Sequence, residues 1–172
     1  MSLTISGAVA ISGASNAYAS ACCNGEGRTL LGGNGRGTAT ANGNALVHAG
    51  TTLTLSAGSL AVSGGKHVDG SACCVGERGG TTGNATVTVN ANAELSAGQS
   101  MALTVSGPVN IAGGASAYAS ACCVGEGGVG LPGGNGQATV TASANALLHA
   151  GTDLTLTAGS LTVHGGDRKS VV

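Results

Sequence analysis

The sequence predicts an all-β fold, a parallel β-solenoid (β-helix) of about seven coils with loop excursions. Internal repetition is the first observation: the segment that begins at Leu3 returns at Leu103, and weaker copies begin at Leu53 and Leu154. A period of about 50 residues is typical of solenoids, propellers and arrays. Alternation is the second observation, because runs of Leu or Val with Thr or Ser at every second place follow the two-residue period of a strand. No stretch has helical spacing over a useful length.

Composition supports an ordered chain with a thin core. The 172 residues include 33 glycines, and 42% are hydrophobic, 8% charged and 1% aromatic. Disordered chains are highly charged and poor in aliphatic residues, so this content of Val, Leu, Ile and Ala favours stacked small side chains. The net charge of −1 gives no footprint for nucleic acid or anionic lipid. No apolar run approaches the ~18 residues of a membrane span. We therefore expect no nucleic-acid partner and no membrane insertion.

Each repeat contains two related half-units with the same plan of an alternating strand, a corner of small residues, a short apolar strand and a glycine. In the first half-unit Leu53 and Leu55 fall on one face, and Thr54 falls on the other. In the second, Val87 and Val89 share a face opposite the neighbouring threonines. Gly and Asn suit the corners, where we expect positive φ. First half-units begin at Leu3, Leu53, Leu103 and Leu154, and second ones at Thr38, Ala85 and Ala138.

The spacing of the half-units predicts how the coils stack. The step from Thr38 to Thr54 is short but long enough for a coil of two or three short strands that returns onto itself. Four first and three second half-units then give about seven coils, a segment of roughly 33 Å at ~4.8 Å per coil. The other step, from Thr4 to Thr38, is about twice as long. We interpret its surplus, which holds the cysteines and glycine-rich stretches, as excursions from one corner.

Domain organisation follows from the repeats. Residues 1–166 form one solenoid segment with repeats starting near 3, 53, 103 and 154, and residues 167–172 match nothing earlier. We expect this final segment, Asp167 to Val172, to be a non-native or unstructured tail. The sequence begins inside a repeat, whereas solenoids normally begin with an atypical capping repeat. A longer parent protein is therefore expected.

Three vicinal cysteine pairs recur in the motif Ala-Cys-Cys-x-Gly-Glu. Recurrence and an even number favour a structural role, as disulfides or buried thiols, and the sequence does not assign connectivity. Two coils between equivalent cysteines give roughly 9.6 Å, beyond the ~7 Å Cα limit of a disulfide unless the excursions lean together. A metal or redox site is the alternative, but it lacks C-x-x-C spacing and a histidine recurring beside the pairs. The six cysteines are Cys22, Cys23, Cys73, Cys74, Cys122 and Cys123.

No other pattern predicts chemistry. His48 and His149 are equivalent, but Ser96 replaces them in the middle repeat, so we expect surface positions beside an Ala-Gly corner. One recurring glutamate per repeat, at Glu26, Glu77 and Glu126, falls far short of the six to eight oxygens of a Ca²⁺ site. Catalytic triads, phosphate loops and dinucleotide fingerprints are lacking. We expect no catalysis, no cofactor and no metal.

The strings LTLSAGSLAVSGG at Leu53, LTVSGPVNIAGG at Leu103 and LTLTAGSLTVHGG at Leu154 resemble repeats of the filamentous haemagglutinin family, large bacterial adhesins exported by two-partner secretion. The resemblance covers residues 3–166. It implies a right-handed β-helix, an extracellular or cell-surface location and an outer-membrane transporter as export partner. The recurring cysteine pairs depart from the family, whose members are usually poor in cysteine.

The expected function is a structural, adhesive rod segment of a large secreted or surface-exposed adhesin. A host or neighbouring-cell surface ligand would be bound through other parts of the parent protein. Any binding by this segment would use the excursions, where charge concentrates at Arg28, Arg36, Lys66, Glu77 and Arg78. The alternative is an ice-binding or other small-ligand-binding β-solenoid that uses exposed threonine rows. Thr-x-Thr occurs at Thr38, Thr86, Thr139 and Thr155, although first half-units mostly offer Thr-x-Ser and excursions interrupt the regularity.

Overall fold

A computed structural model describes residues 1–25, 35–77, 82–126 and 135–171, and this part of the chain contains strands, turns and bends but no helix. The all-β prediction is therefore confirmed. No helix within these ranges is long and apolar enough to cross a membrane. The strands, in chain order, are β1 Ser2–Thr4, β2 Ala8–Ser12, β3 Asn16–Gly25, β4 Gly35–Asn42, β5 Ala45–Ala49, β6 Leu53–Ala57, β7 Ser59–Ser63, β8 His67–Glu77, β9 Thr82–Asn90, β10 Ala93–Ala97, β11 Met101–Ala112, β12 Ser116–Glu126, β13 Asn135–Ser143, β14 Ala146–Ala150, β15 Leu154–His164 and β16 Arg168–Val171.

These strands form four separate sheets, and every described pair of strands is parallel. Sheet I contains β1, β2, β6, β7, β11 and β15, and sheet II contains β3, β8, β12 and β16. Sheet III contains β4, β9 and β13, and sheet IV contains β5, β10 and β14. The last strand, β16, lies in the segment predicted to be a tail and pairs with β12.

Each strand pairs with its equivalent in the neighbouring repeat. Leu53 pairs with Met101, and Met101 pairs with Leu154. Corner asparagines are hydrogen-bonded at the same two sequence separations, which are 48 residues from Asn44 to Asn92 and 53 residues from Asn92 to Asn145. The offsets of the other ladders lie within this range. One step across a sheet therefore corresponds to one whole repeat of the sequence.

The predicted stacking of half-units, and with it the count of about seven coils, is wrong. Thr54 pairs with Ser2 and Ala102 rather than with Thr38, which pairs with Thr86. The half-units instead face each other, because sheet IV packs its alanines and Leu95 against the leucines of sheet I. Because both kinds of half-unit have the same alternation, each has an apolar face, and these apolar faces are buried against each other. The cysteine segments are not excursions either, since they lie in β3, β8 and β12 of sheet II.

The described residues form two separate cores. The leucine core lies between sheets I and IV and consists of Val9, Ala45, Ala49, Leu53, Leu55, Ala57, Leu60, Val62, Ala93, Leu95, Ala97, Met101, Leu103, Val105, Val109 and Ile111. The alanine core lies between sheets II and III and consists of Ala39, Ala41, Val68, Ala72, Ala85, Val87, Val89, Ala91, Ala117, Ala119, Ala121 and Ala144. The predicted alternation is confirmed in both, because Leu53 and Leu55 point inward while Thr54 is exposed.

Glycine corners form a waist between the two cores. The amide of Gly65 donates to the carbonyl oxygen of Gly43 at 2.6 Å, and the amide of Gly114 donates to that of Ala91 at 2.6 Å. A Cβ placed on Gly64 would lie 1.9 Å from the Ala91 oxygen, far inside contact distance. The expected positive φ is not the reason for glycine here, since Gly64 has none. Glycine is required because two backbones touch.

Candidate functional site

The outer face of sheet II carries the chain's most distinctive arrangement of polar and aromatic side chains. Alternation along β3, β8 and β12 turns alanines and Val68 into the alanine core and leaves every second residue outside. The parallel register aligns these outward residues in rows across the strands. Asp69 on β8 pairs with Tyr18 on β3 and with Tyr118 on β12. A row of tyrosine, aspartate and tyrosine therefore crosses the middle of the sheet.

Tyr18 and Tyr118 are the only aromatic side chains of the 172-residue chain, which has no Phe and no Trp. Both lie outside the cores, with exposed fractions of 73% and 38%. Because tyrosine carries a large apolar ring, a fold short of core volume would be expected to bury it. Both rings instead lie on the outer face of sheet II.

An open groove of about 500 Å³ lies along this row, and we call it the tyrosine groove. Asp69, Gly70 and Ser71 form the floor of the groove, while Tyr18 and Tyr118 flank it. The full lining is Tyr18, His67, Asp69, Gly70, Ser71, Ser116, Tyr118 and Lys169. The lining mixes aromatic, acidic, basic and hydroxyl groups, which suits a ligand with both apolar and polar parts.

The Tyr18 hydroxyl leans towards the groove floor and lies 3.4 Å from Ser71 Oγ. Hydrogen bonds from Ser71 and Ser20 lower the pKa of Tyr18 below its usual value, because they stabilise the phenolate. The Asp69 charge opposes this shift, since a second negative charge nearby disfavours ionisation. The carboxylate of Asp69 itself is partly buried, and within the described ranges no hydrogen bond or ion pair engages it.

Patterns along the sequence do not predict this groove. In sequence the two tyrosines indicate only a thin core, and Asp69 belongs to no motif. A signal is nevertheless present: Ala-Tyr-Ala-Ser at residues 17–20 recurs at 117–120, whereas the middle repeat has Val-Asp-Gly-Ser. The aspartate becomes the centre of a tyrosine pair only once the one-repeat register is known.

The cysteines lie near one end of the same sheet. Cys22 pairs with Cys73, and Cys73 pairs with Cys122, on directly neighbouring strands. The expected separation of two coils is therefore wrong, and neighbouring strands at ~4.8 Å bring equivalent Cα atoms within the disulfide range. Cys22 and Cys73 are thiols, the first exposed and the second partly buried. The side chains of Cys23, Cys74, Cys122 and Cys123 lie outside those that the structure describes, as do those of Glu26, Glu77 and Glu126.

The histidines occupy the expected positions. His48 and His149 are exposed beside the Ala-Gly corners that end β5 and β14. Both pair with Ser96 of β10, and His48 Nδ1 lies 2.9 Å from Ser96 Oγ. This is a surface hydrogen bond that covers a buried serine. Within the described residues, no group of three or more His, Cys, Asp or Glu side chains is arranged to hold a metal ion.

Of the charged residues expected in the excursions, the structure describes the side chains of two, and these lie on different elements. Arg36 is exposed on the outer face of sheet III, and Lys66 is exposed at the corner before β8. Arg28 and Arg78 lie outside the described residues, and the Glu77 side chain does as well.

A second regular surface covers the outer face of sheet III. Thr38, Thr86 and Thr139 form one row across β4, β9 and β13, and Thr40, Thr88 and Thr141 form the next. Their neighbours Ala39 and Val87 point into the alanine core, so all six threonines face outward. The first half-units, with their Thr-x-Ser sequences, lie on a different sheet and do not interrupt this array.

Comparison with known proteins identifies no relative: no family model, no curated protein and no solved structure matches the chain.

Proposed function

We propose that the chain is a structural, adhesive rod segment of a large secreted or surface-exposed bacterial adhesin and that it performs no catalysis. In this proposal the repeats wind as a right-handed parallel solenoid, and each turn contains one whole repeat of about 50 residues. The function is geometric, because a stack of turns holds other parts of the parent protein away from the cell.

The observation that carries the proposal is the register. Because every strand pairs with its equivalent in the next repeat, an added repeat extends each sheet by one strand without changing the cross-section. Equivalent side chains stack on one another, as in Leu55 beneath Leu103 and Leu103 beneath Leu156. Nearest-neighbour stacking of this kind is what allows repeat proteins to grow in one dimension.

Corner ladders support the same winding. The Asn44 side-chain oxygen accepts a hydrogen bond from the Asn92 amide at 2.9 Å, and Asn92 does the same for Asn145. Each asparagine thus satisfies a backbone donor of the next repeat at a corner, where sheet hydrogen bonds are interrupted. The resemblance to filamentous haemagglutinin repeats supports the adhesin class, an extracellular location and export through an outer-membrane transporter.

Small-angle X-ray scattering of chains lengthened by two repeats tests the winding. Insertion of a second copy of residues 53–153 adds two turns, so the rod should lengthen by roughly 9.6 Å at an unchanged cross-sectional radius. Growth of the rod by roughly 19 Å would instead indicate two coils per repeat and would reject this winding.

Long-read sequencing of the parent gene tests the adhesin class, which requires further repeats and an upstream secretion domain. A gene encoding only residues 1–172 would contradict it.

Ice binding is a second candidate, favoured by the threonine array of sheet III. Its threonines repeat at roughly 6.7 Å along each strand and at ~4.8 Å between strands, a regular lattice of hydroxyl and methyl groups. Thermal hysteresis of the purified protein tests this function. If it operates, Thr88→Tyr should abolish the effect while Thr54→Tyr, an outward residue of sheet I, preserves it. Absence of hysteresis at high protein concentration would exclude ice binding.

A further inference from the structure

We propose that the tyrosine groove is a binding site for a small organic cation of the alkylammonium class, held between Tyr18 and Tyr118 and above Asp69. This site is additional to the rod function and does not depend on it. The ligand chemistry follows from three properties of the groove: its spacing, its charge and the small number of oxygen ligands in its lining.

The spacing places two aromatic rings around one position. Asp69 is on the strand between those of Tyr18 and Tyr118, so each tyrosine strand is one strand spacing away, ~4.8 Å. A cation above Asp69 would therefore lie between the two tyrosine side chains, where a cation–π contact requires a ring centroid within ≈6 Å. Tyr18 already leans over β8, as its contact with Ser71 requires.

The charge of the groove selects the sign of the ligand. Aromatic faces are the negative side of the ring quadrupole, and a carboxylate lies between them, so both groups attract a cation and repel an anion. Asp69 is partly buried, and no hydrogen bond or ion pair within the described ranges engages it. Lys169 lines the outer end of the groove, two strands from Asp69 and beyond Tyr118.

The ligand groups of the groove favour an organic cation over Ca²⁺, and within the described residues no group of three or more His, Cys, Asp or Glu side chains could hold a metal ion. One carboxylate with neighbouring hydroxyls falls short of the six to eight oxygen ligands that Ca²⁺ takes. Methyl groups on nitrogen, by contrast, spread the positive charge over an apolar surface that packs against tyrosine rings. Recognition of quaternary ammonium groups by aromatic side chains uses this combination.

Choline and its neutral isostere 3,3-dimethyl-1-butanol provide a matched pair of probes, titrated into the ¹⁵N-labelled protein and followed by NMR. We expect choline to shift the amide resonances of Gly70 and Ser71 and to bind at least tenfold more tightly than the alcohol. Asp69→Asn should weaken choline binding at least tenfold. Tyr118→Leu should weaken it as well, whereas Tyr18→Phe, which keeps the ring, should preserve it.

Controls separate binding from folding. All these residues lie on the outer face of sheet II, so each variant should keep the circular dichroism spectrum of the parent chain, and Ser120→Ala, on the same face but outside the groove lining, should bind choline normally. Lys169→Gln should strengthen choline binding, about twofold, because it removes a positive charge from the groove.

A second experiment uses phosphatidylcholine vesicles. Co-sedimentation of the protein with the vesicles would assign the cation to a lipid head group. Choline binding without co-sedimentation would assign a soluble cation.

Three results would overturn the proposal. Equal affinities for choline and the neutral alcohol would show that charge plays no part. Unchanged choline binding by folded Asp69→Asn would remove the carboxylate from the site. Binding of a neutral saccharide such as cellotriose, without binding of choline, would assign the tyrosines to a different ligand class. None of these results would affect the proposed rod function, which rests on the strand register.

Discussion

The leucine core and the alanine core share one strand register but fill the space between their sheets differently. The leucine core uses Leu, Ile, Val and Met, with Leu53, Leu95 and Ile111 at most 1% exposed. The alanine core contains nine alanines and three valines among its buried residues. Large side chains keep sheets I and IV apart, whereas small ones bring the backbones of sheets II and III together. Removal of atoms should therefore damage the first core, and addition of atoms should damage the second.

Size matching within the alanine core supports this distinction. Gly70 on β8 faces Val87 and Val89 on β9, the two valines of sheet III that are fully buried. Its register partners Ala19 and Ala119 carry one more carbon. A Cβ on Gly70 would lie 2.7 Å from a methyl carbon of each valine. In the middle repeat, the small Gly70 of sheet II therefore lies opposite the two large valines of sheet III.

The largest effect is expected at the waist, where both cores depend on direct backbone contact. Gly64→Ala should lower the free energy of unfolding by about 4 kcal/mol, because the new Cβ meets a carbonyl oxygen at 1.9 Å and the backbone must move. Urea denaturation measures the change. Gly7→Ala is the matched control, since its Cβ would meet nothing within 4 Å and a change near zero is expected. Equal losses of unfolding free energy in the two variants would contradict direct backbone contact at the waist.

The next largest effect tests the leucine core. Leu55→Ala should cost about 3 kcal/mol, since it removes a fully buried side chain stacked between equivalent leucines of adjacent repeats. Leu46→Ala, at a residue 59% exposed on the outer face of β5, should change stability by less than about 0.5 kcal/mol. The same denaturation experiment compares them, and a similar cost for both would show that the two faces are assigned incorrectly.

The alanine core should respond to added volume. Gly70→Ala should cost about 2 kcal/mol, because one methyl group overfills the contact with Val87 and Val89. Adding Val89→Ala should recover part of that loss, about 1 kcal/mol, because it restores the space. A double-mutant cycle gives the coupling. Simple additivity of the two costs would mean that these residues do not meet across the core.

The smallest effect concerns the outer face of the alanine core. Ser71→Ala should raise the pKa of Tyr18 towards its usual value near 10, because the variant removes the larger of two hydrogen bonds that favour the phenolate. Absorbance of the phenolate against pH measures this in a Tyr118→Phe background, where Tyr18 alone titrates. Ser120→Ala serves as the control and should leave the titration unchanged. A titration unaffected by Ser71→Ala would remove this hydrogen bond from the groove.

Local sequence patterns predicted the strands and which of their residues are buried, because these features depend on neighbouring residues. Alternation identified the strands and their faces, so Leu53 is buried and Thr54 exposed, and the Ala-Gly corners leave His48 at the surface. Pairing is a long-range property, and two half-units with the same pattern are chemically compatible partners. The sequence alone therefore favoured stacking of successive half-units, while the structure pairs equivalent strands of successive whole repeats.

The candidate site depends on that same long-range information. Tyr18 and Tyr118 are far apart in sequence, and Asp69 stands between them only because β8 lies between β3 and β12. The threonine array has the same origin, since three separate Thr-x-Thr motifs align only in the one-repeat register. Motif searches along the chain do not reveal such sites, because their residues meet across strands.

Hydrogen-bond scalar couplings between backbone nitrogen and carbonyl carbon test the register most directly, in a long-range HNCO experiment on the ¹⁵N,¹³C-labelled protein. The structure predicts correlations from the Gly98 amide to the Ala49 carbonyl and from the Gly151 amide to the Ala97 carbonyl. It also predicts one from the Gly113 amide to the His164 carbonyl. Correlations between successive half-units in place of these, as from the strand of Thr38 to that of Thr54, would contradict the one-repeat register and both cores built on it.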